Sequence, residues 1–299
     1  MKDLLNTCIL CPRNCKANRN HNKVGFCNMN YELTVSRASL HFWEEPIISG
    51  INGSGTVFFS GCNLKCVFCQ NYSISHNNFG KKISIERLSE IFLELQQQGA
   101  NNINLVTPTH FVPPIIEAIK KAKKNGLNIP IVYNSSGYES IETIKLLKGY
   151  IDIYLPDFKY FDNKYALKYS KCNNYLEAVT TSLEEMIKQV GSPQFNKEGM
   201  LIKGIIVRHM MLPGLLEDSK RIIHYLIDKY NDKIFISIMN QYTPTNNLEQ
   251  YPELNKTVDD KDYDQLINYA MDLGIKNGFM QEGDTQNTSF IPEFDTTGV

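Results

Sequence analysis

Six strand-like runs, each followed by a helix-like stretch, constrain this 299-residue chain more than any other feature. Thr56-Val57-Phe58-Phe59 is a short apolar, β-prone run closed by Ser60-Gly61. Residues 84–98 follow, with Ile85, Leu88, Ile91, Phe92 and Leu95 at helical spacing and Gly99 as the stop. The alternation continues with strands at 104–106, 129–133, 151–155, 201–207 and 234–239. Helices are predicted at 114–124, 140–148, 163–190 (broken near Asn173-Asn174), 217–230 and 260–273. Such a series implies parallel strands joined by right-handed crossovers. The expected fold is α/β, a partial (β/α)6 TIM-like barrel. A doubly wound sheet is disfavoured because no glycine-rich dinucleotide fingerprint follows the first strand. Residues 1–50 read as a small cysteine-rich, metal-binding segment, 51–284 as the barrel, and 285–299 as a tail. Phe290, Ile291, Pro292 and Phe294 lead us to expect that the tail packs back on the barrel.

Charge narrows the partners. With 31 Lys+Arg against 32 Asp+Glu, the net charge of -1 gives no basic footprint for nucleic acid and no attraction to an anionic membrane. Lys120, Lys121, Lys123 and Lys124 read as a solvated helix face. No run approaches the roughly 18 apolar residues of a membrane span, and the start, Met1 to Cys8, lacks a signal-peptide core. A cytoplasmic chain is expected, and there grouped thiols point to metal or redox chemistry rather than disulfides.

Three of the eight cysteines, Cys62, Cys66 and Cys69, lie at x3 and x2 spacing directly after the first strand. That is the strand end where barrels place their chemistry. Zinc in a closed structural site wants four ligands, and only three are local; Cys172 reads as a small buried residue. A [4Fe-4S] cluster held by three thiolates keeps one iron open for a further ligand. Phe68, just before the third cysteine, offers an aromatic face to a planar ring.

The stretch Phe59 to Asn71 resembles the signature of radical S-adenosylmethionine (SAM) enzymes, and within them that of the pyruvate formate-lyase activating enzymes. The similarity continues through Asp157-Phe158-Lys159 and Val207-Arg208-His209 to Leu212-Pro213-Gly214. It extends to a branch of activating-enzyme homologues that also carry N-terminal cysteines and a segment like His41-Phe42-Trp43-Glu44-Glu45-Pro46. The resemblance implies that Cys62, Cys66 and Cys69 hold the cluster, that SAM binds its open iron, and that one electron releases a 5'-deoxyadenosyl radical that abstracts hydrogen. It implies Phe68 near adenine, and Asn134 and Ser136 near ribose or carboxylate. Asp157, Lys159, Arg208 and His209 would form a polar ring at the barrel mouth, with Arg208 and His209 as the catalytic pair. Thr107 and Thr109 stand where activating enzymes place a Gly-Gly-Glu, and this chain has neither those glycines nor that carboxylate. The implied partners are an electron donor such as flavodoxin or ferredoxin and a substrate such as a glycine of a glycyl radical enzyme, another polypeptide or a small molecule. A non-catalytic, zinc-dependent interaction protein is the competing class, and the three-thiolate loop speaks against it.

Cys8, Cys11, Cys15 and Cys27 place four thiolates in a segment too short to bury a core, so a metal would organise it. Zinc and a second iron-sulfur cluster both satisfy that donor set. His21 between them reads as a loop residue. Glu44 and Glu45 read as a solvated pair, or else as part of a segment lying across the barrel mouth with His41 and Trp43; these are left out of the expected site.

Overall fold

The computed structural model describes residues 2–244, 248–281 and 291–299, with side chains from residue 4 onward. Phe290 and the rest of 282–290 lie outside the described residues. After the cysteine-rich segment, β1 (Leu33–His41) leads through a one-turn helix α1 (Pro46–Ser49) into β2 (Ser54–Phe59). The loop at 60–71 follows, then α2 (Tyr72–Ser75), β3 (Lys81–Ile83) and α3 (Ile85–Gln97). From there the chain alternates: β4 (Ile103–Val106), α4 (Val112–Lys124), β5 (Ile131–Ser135), α5 (Ile141–Leu146) and β6 (Ile153–Pro156). Helices α6 (Asn163–Ser170) and α7 (Tyr175–Val190) then precede the short β7 (Gln194–Phe195) and the long β8 (Leu201–Met210). The last elements are α8 (Leu216–Tyr230), β9 (Phe235–Met239), α9 (Asp260–Asp272) and β10 (Gly278–Met280).

Among the described residues the strands form one sheet ordered β10-β9-β8-β6-β5-β4-β2-β1-β3, with β7 beside β8. From β2 to β10 neighbours along that path are parallel; β1 pairs antiparallel with both β2 and β3. The path has two free ends, so this is a partial (β/α)6 barrel rather than a closed one. β1 runs along β2, so the sheet begins inside residues 1–50.

Local chemistry explains the boundaries. The Ser84 hydroxyl accepts from the Arg87 amide at 3.0 Å and starts α3. Lys171, in the left-handed region at φ 53°, ends α6 and produces the break expected near Asn173-Asn174. Strand residues alternate between two cores. Ile131, Tyr133, Tyr154, Ile205 and Val207 face the helices. Val132, Ile153, Leu155, Leu201 and Ile206 face the barrel interior, and there they meet Ile48 from α1.

The β1–β2 connection therefore folds into the hollow of the barrel rather than over its surface. Asn102 Nδ2 donates to the Ile48 carbonyl at 2.9 Å and Asn101 Nδ2 to that of Ser49 at 2.6 Å, fixing α1 beneath β4. Residues 291–299 pack along β1: Thr296 N donates to Ser36 O at 3.0 Å, Ala38 N to Thr297 O at 2.9 Å, and Phe294 meets Phe58 edge-on at 5.3 Å. Among the described residues no helix is long and apolar enough to cross a membrane.

Ile48 is fully buried and Ile51, three residues on, is 94% exposed. Ile48→Ala is expected to cost about 2–5 kcal/mol in urea unfolding, whereas Ile51→Ala should stay within about 0.5 kcal/mol. Equal effects would contradict the placement of α1 inside the barrel.

Candidate active site

The loop after β2 turns at Gly61, whose φ of 84° and close packing both require glycine. A Cβ there would come within 2.4 Å of Met29 Cγ and 2.9 Å of the Cys27 carbonyl. Each sulfur of the loop has a hydrogen-bond donor. Ser170 Oγ donates to Cys66 Sγ at 2.9 Å, Ser75 Oγ to Cys69 Sγ at 3.2 Å, and the Leu64 amide to Cys62 Sγ at 3.4 Å. Burial pushes the Cys66 thiol up to about 12, against the pull of nearby Lys159 and with added repulsion from Cys62 and Cys69. Burial raises Cys69 as well. Burial and mutual repulsion disfavour thiolates here without a metal, and the donors aimed at the sulfurs suit ligands of an iron-sulfur cluster. Among the described residues no three His, Cys, Asp or Glu side chains form a ready single-ion site. Cys172 is buried apart from the loop, with its sulfur toward Asn174 Oδ1 at 3.8 Å.

Cys66 and Cys69 line a cavity of about 210 Å³ at the C-terminal ends of the strands. Phe68 lines the same wall and meets Tyr242 edge-on at 6.0 Å. Asn134, Asp157, Lys159 and Arg208 line it too, from the ends of β5, β6 and β8. Arg208 joins them: Nε donates to Asp157 Oδ1 at 3.0 Å, Nη2 to Asn134 Oδ1 at 2.6 Å, and Nη1 to Glu44 Oε2 at 3.1 Å. Lys159 Nζ donates to the other Asp157 oxygen at 2.7 Å. Glu44 Oε1 accepts from Asn104 Nδ2 at 2.9 Å.

Burial alone would raise Asp157, but Lys159 and Arg208 outweigh it and hold the carboxyl below its usual range. Burial raises Glu44 and Glu45, only partly offset by Arg208. Among the described residues this cluster sets two cations, Arg208 and Lys159, against three carboxyl groups, and Glu45 Oε2 is buried without a hydrogen-bond partner.

Of the two readings of Glu44, a solvated residue or part of a segment across the barrel mouth, the structure favours the second and makes it an anchor of the cavity. His41 and Trp43 also line it. Burial, with Arg37 and Arg208 nearby, lowers His41 to about 4, so it is neutral at pH 7.

Four residues expected at the mouth lie off the cavity lining. Arg208 and His209 are adjacent on a strand and face opposite ways. His209 points at the helix side, with Nδ1 on the Phe158 carbonyl at 2.8 Å, and burial lowers it to about 4. Thr109 donates to Glu139 Oε1 at 2.6 Å in a closed pocket, where Tyr133 OH donates to Oε2 at 3.1 Å. Burial lifts Glu139 to about 7 in spite of those donors. Ser136 donates to Asn63 Oδ1 at 3.3 Å, behind the cysteine loop. Thr107, at φ 58°, ends β4 with its amide on the Asn134 carbonyl at 2.9 Å.

In the N-terminal segment Cys8 and Cys27 are buried, Cys11 is half-buried and Cys15 exposed. Burial raises Cys11 and Cys27, and Cys8 lies near enough to repel both. Arg19 is completely buried beside them. Its Nε donates to Met29 O at 3.1 Å, its Nη2 to Asn30 O at 2.6 Å, and its Nη1 reaches Cys8 Sγ at 3.8 Å and the His110 carbonyl. Among the described residues no carboxylate pairs with it. His21 is exposed and turned to Asn18.

His41, His110 and His209 are each held neutral, at about 4, 3 and 4, chiefly by burial. Unfolding lets each bind a proton below pH 6.5, so their contribution is complete above that pH and is lost as pH falls toward 4. Roughly 1.4 kcal/mol per pH unit is at stake for each group. The melting temperature of metal-free protein should fall steadily from pH 6.5 to 4, less steeply in His209→Gln. A flat profile would contradict these environments.

Comparison with known proteins agrees with this geometry. Residues 56–244 match the Radical SAM superfamily. The uncharacterized protein MJ0674 of Methanocaldococcus jannaschii is 30% identical over 280 residues, covering 90% of this chain and 75% of that protein. Streptococcus suis SuiB bound to S-adenosylmethionine aligns with a TM-score of 0.52 at 15% identity, over 78% of this chain and 51% of SuiB. HydG, a maturase of the [FeFe]-hydrogenase, aligns with a TM-score of 0.51 at 17% identity, over 79% of this chain and 54% of HydG. The chain thus spans about half of each solved structure, and at these identities what they share with it is the fold. The extent of the family match and the cysteine loop at the end of β2 lead to one conclusion: the chain belongs to the radical SAM superfamily of enzymes.

Proposed function

We propose that Cys62, Cys66 and Cys69 hold a [4Fe-4S] cluster, that S-adenosylmethionine occupies the adjoining cavity, and that the enzyme abstracts hydrogen from a polypeptide substrate. The observation that carries this reading is that thiols with aimed hydrogen-bond donors share one cavity with the Arg208 network. When bound, the cluster and SAM supply one-electron cleavage of the sulfonium and a hydrogen-abstracting 5'-deoxyadenosyl radical.

The chain's own residues do the rest. Lys159 presents positive charge to Cys66 and Cys69, and Arg208 lines the same cavity; both suit an anionic group such as a carboxylate, while Asp157 and Glu44 fix their directions and accept from an amine. Phe68 offers its ring to adenine, and Asn134 offers amide donors and an acceptor. Phe58, Val106, Met210, Leu212, Met239 and Ile291 form apolar parts of the cavity wall that exclude water, which protects a reactive intermediate from quenching. Trp43, on the cavity rim and 61% exposed, and the neighbouring exposed Phe42 suit contact with a peptide backbone and side chain. A glycine of a glycyl radical enzyme is the specific target this reading favours, with a flavodoxin- or ferredoxin-type donor in the cytoplasm.

The same reading gives the N-terminal segment a metal held by Cys8, Cys11, Cys15 and Cys27, as zinc or a second iron-sulfur cluster. Arg19 supports it: a completely buried guanidinium served by carbonyls and one sulfur calls for a nearby anion, and a tetrathiolate metal centre is one.

Anaerobically reconstituted protein, SAM and dithionite should together yield 5'-deoxyadenosine, measured by chromatography. Cys66→Ala should reduce it to background, and Arg208→Lys, which keeps the charge and loses the fork, should lower it roughly a hundredfold. Undiminished product from Cys66→Ala would refute the cluster assignment.

A further inference from the structure

The N-terminal segment and the three-thiol loop are built into each other, and one side chain makes most of the connection. Arg13 lies between Cys11 and Cys15. The turn around it is fixed by Asn14 and Lys16 in the left-handed region, φ 44° and 53°, with Asn14 N on Cys11 O at 3.0 Å and Lys16 N on Cys8 O at 3.0 Å. From this turn Arg13 reaches away from its own cysteines. Nε donates to Asn63 O at 2.8 Å, Nη2 to Leu64 O at 3.3 Å and Ser170 O at 3.1 Å, and Nη1 to Lys171 O. Its guanidinium carbon sits 3.7 Å from the centre of the Phe26 ring and 5.3 Å from that of Tyr138.

The four carbonyls belong to two places that shape the sulfur environment. Asn63 and Leu64 lie between Cys62 and Cys66. Ser170 is the residue whose hydroxyl donates to Cys66 Sγ at 2.9 Å. Only a planar fork with several N–H groups can tie both at once; a lysine would carry the charge without the shape. A second contact runs the same way, since Met29 and the Cys27 carbonyl pack on Gly61 at the start of the loop. Among the described residues the fork meets carbonyls and rings, with no carboxylate within ion-pair distance.

We propose that Arg13 is a positioning residue for the cluster loop, and that metal ligation by Cys11 and Cys15 on either side of it sets its aim. Assembly of the cluster at Cys62, Cys66 and Cys69 then depends on a loaded N-terminal centre. The inference rests on the reading above that both cysteine groups hold metal.

The test uses full-length protein, loaded anaerobically with iron, sulfide and zinc. Metal content is measured by mass spectrometry, and the loop cluster by the part of the EPR signal of reduced protein that responds to SAM. Arg13→Lys, with folding checked by circular dichroism, should keep its N-terminal metal yet lose the SAM-responsive signal by roughly tenfold or more, as loss of an outer-shell contact does at metal sites. Cys11→Ser with Cys15→Ser, leaving Arg13 intact, should lose the N-terminal metal and the loop signal together. Cys66→Ala should lose the loop signal and keep the N-terminal metal, so the dependence runs one way. A native-strength signal in Arg13→Lys, or in the double serine variant without its metal, overturns the proposal alone. Native protein that takes up no metal beyond the loop cluster overturns it together with the reading on which it rests.

Discussion

The half-buried Arg208 guanidinium at the end of β8 makes the interaction on which the site depends. β6 and β8 share a register of only two residue pairs, Ile153 with Gly204 and Tyr154 with Ile205, before one isolated bridge between Asp157 and Arg208. There the Phe158 amide donates to the Arg208 carbonyl at 2.7 Å, and the Arg208 side chain adds to this pairing by spanning Asp157, Asn134 and Glu44. Removing it would leave Glu44 without its ion-pair partner and Asp157 with Lys159 alone, and breaking a buried pair costs about 3–5 kcal/mol. One residue thus holds the ends of two strands and the segment that fills the barrel, and forms part of the cavity wall.

Filling the barrel from within has a functional consequence. An open sheet leaves its interior accessible, and here Ile48 closes the lower layer while Glu44 and Glu45 bring charge to the middle one. The carboxylates arrive from the β1–β2 connection, so the polar floor and the rim residues His41 and Trp43 are neighbours in sequence. The N-terminal segment packs on the three-thiol loop from the opposite side, through Met29 and Cys27 on Gly61 and through Arg13. Two short segments preceding β2 therefore shape both sides of the chemistry.

Most of the architecture was legible because parallel strands buried on both faces read as short apolar runs, and their helices carry a clear 3.6-residue period. β1 (Leu33–His41), β3 and β10 were not, since the first is a polar-interrupted edge-side strand and the others span three residues each. Cys62, Cys66, Cys69, Asn134, Asp157, Lys159 and Arg208 could be singled out from motif and strand-end position. His209 illustrates a signal that was available and unused: strict alternation forbids it from sharing a face with Arg208. Thr109 was misplaced for another reason, because its partner Glu139 comes from the loop after β5 and only the fold brings them together. For Glu44 and Glu45 the sequence left a solvated pair and a segment across the barrel mouth both open; that their connection plunges inward is a tertiary fact, decided by Ile47 and Ile48 seeking the interior core.

The central claim, that the thiol loop and the Arg208 network form one binding site, is tested most directly by EPR of the reduced, cluster-loaded protein with and without S-adenosylmethionine. The account predicts that SAM alters the signal of the native protein and does so much less in Arg208→Lys, whose cluster remains intact. A signal indifferent to SAM in the native protein, or an equal response in both, would contradict it.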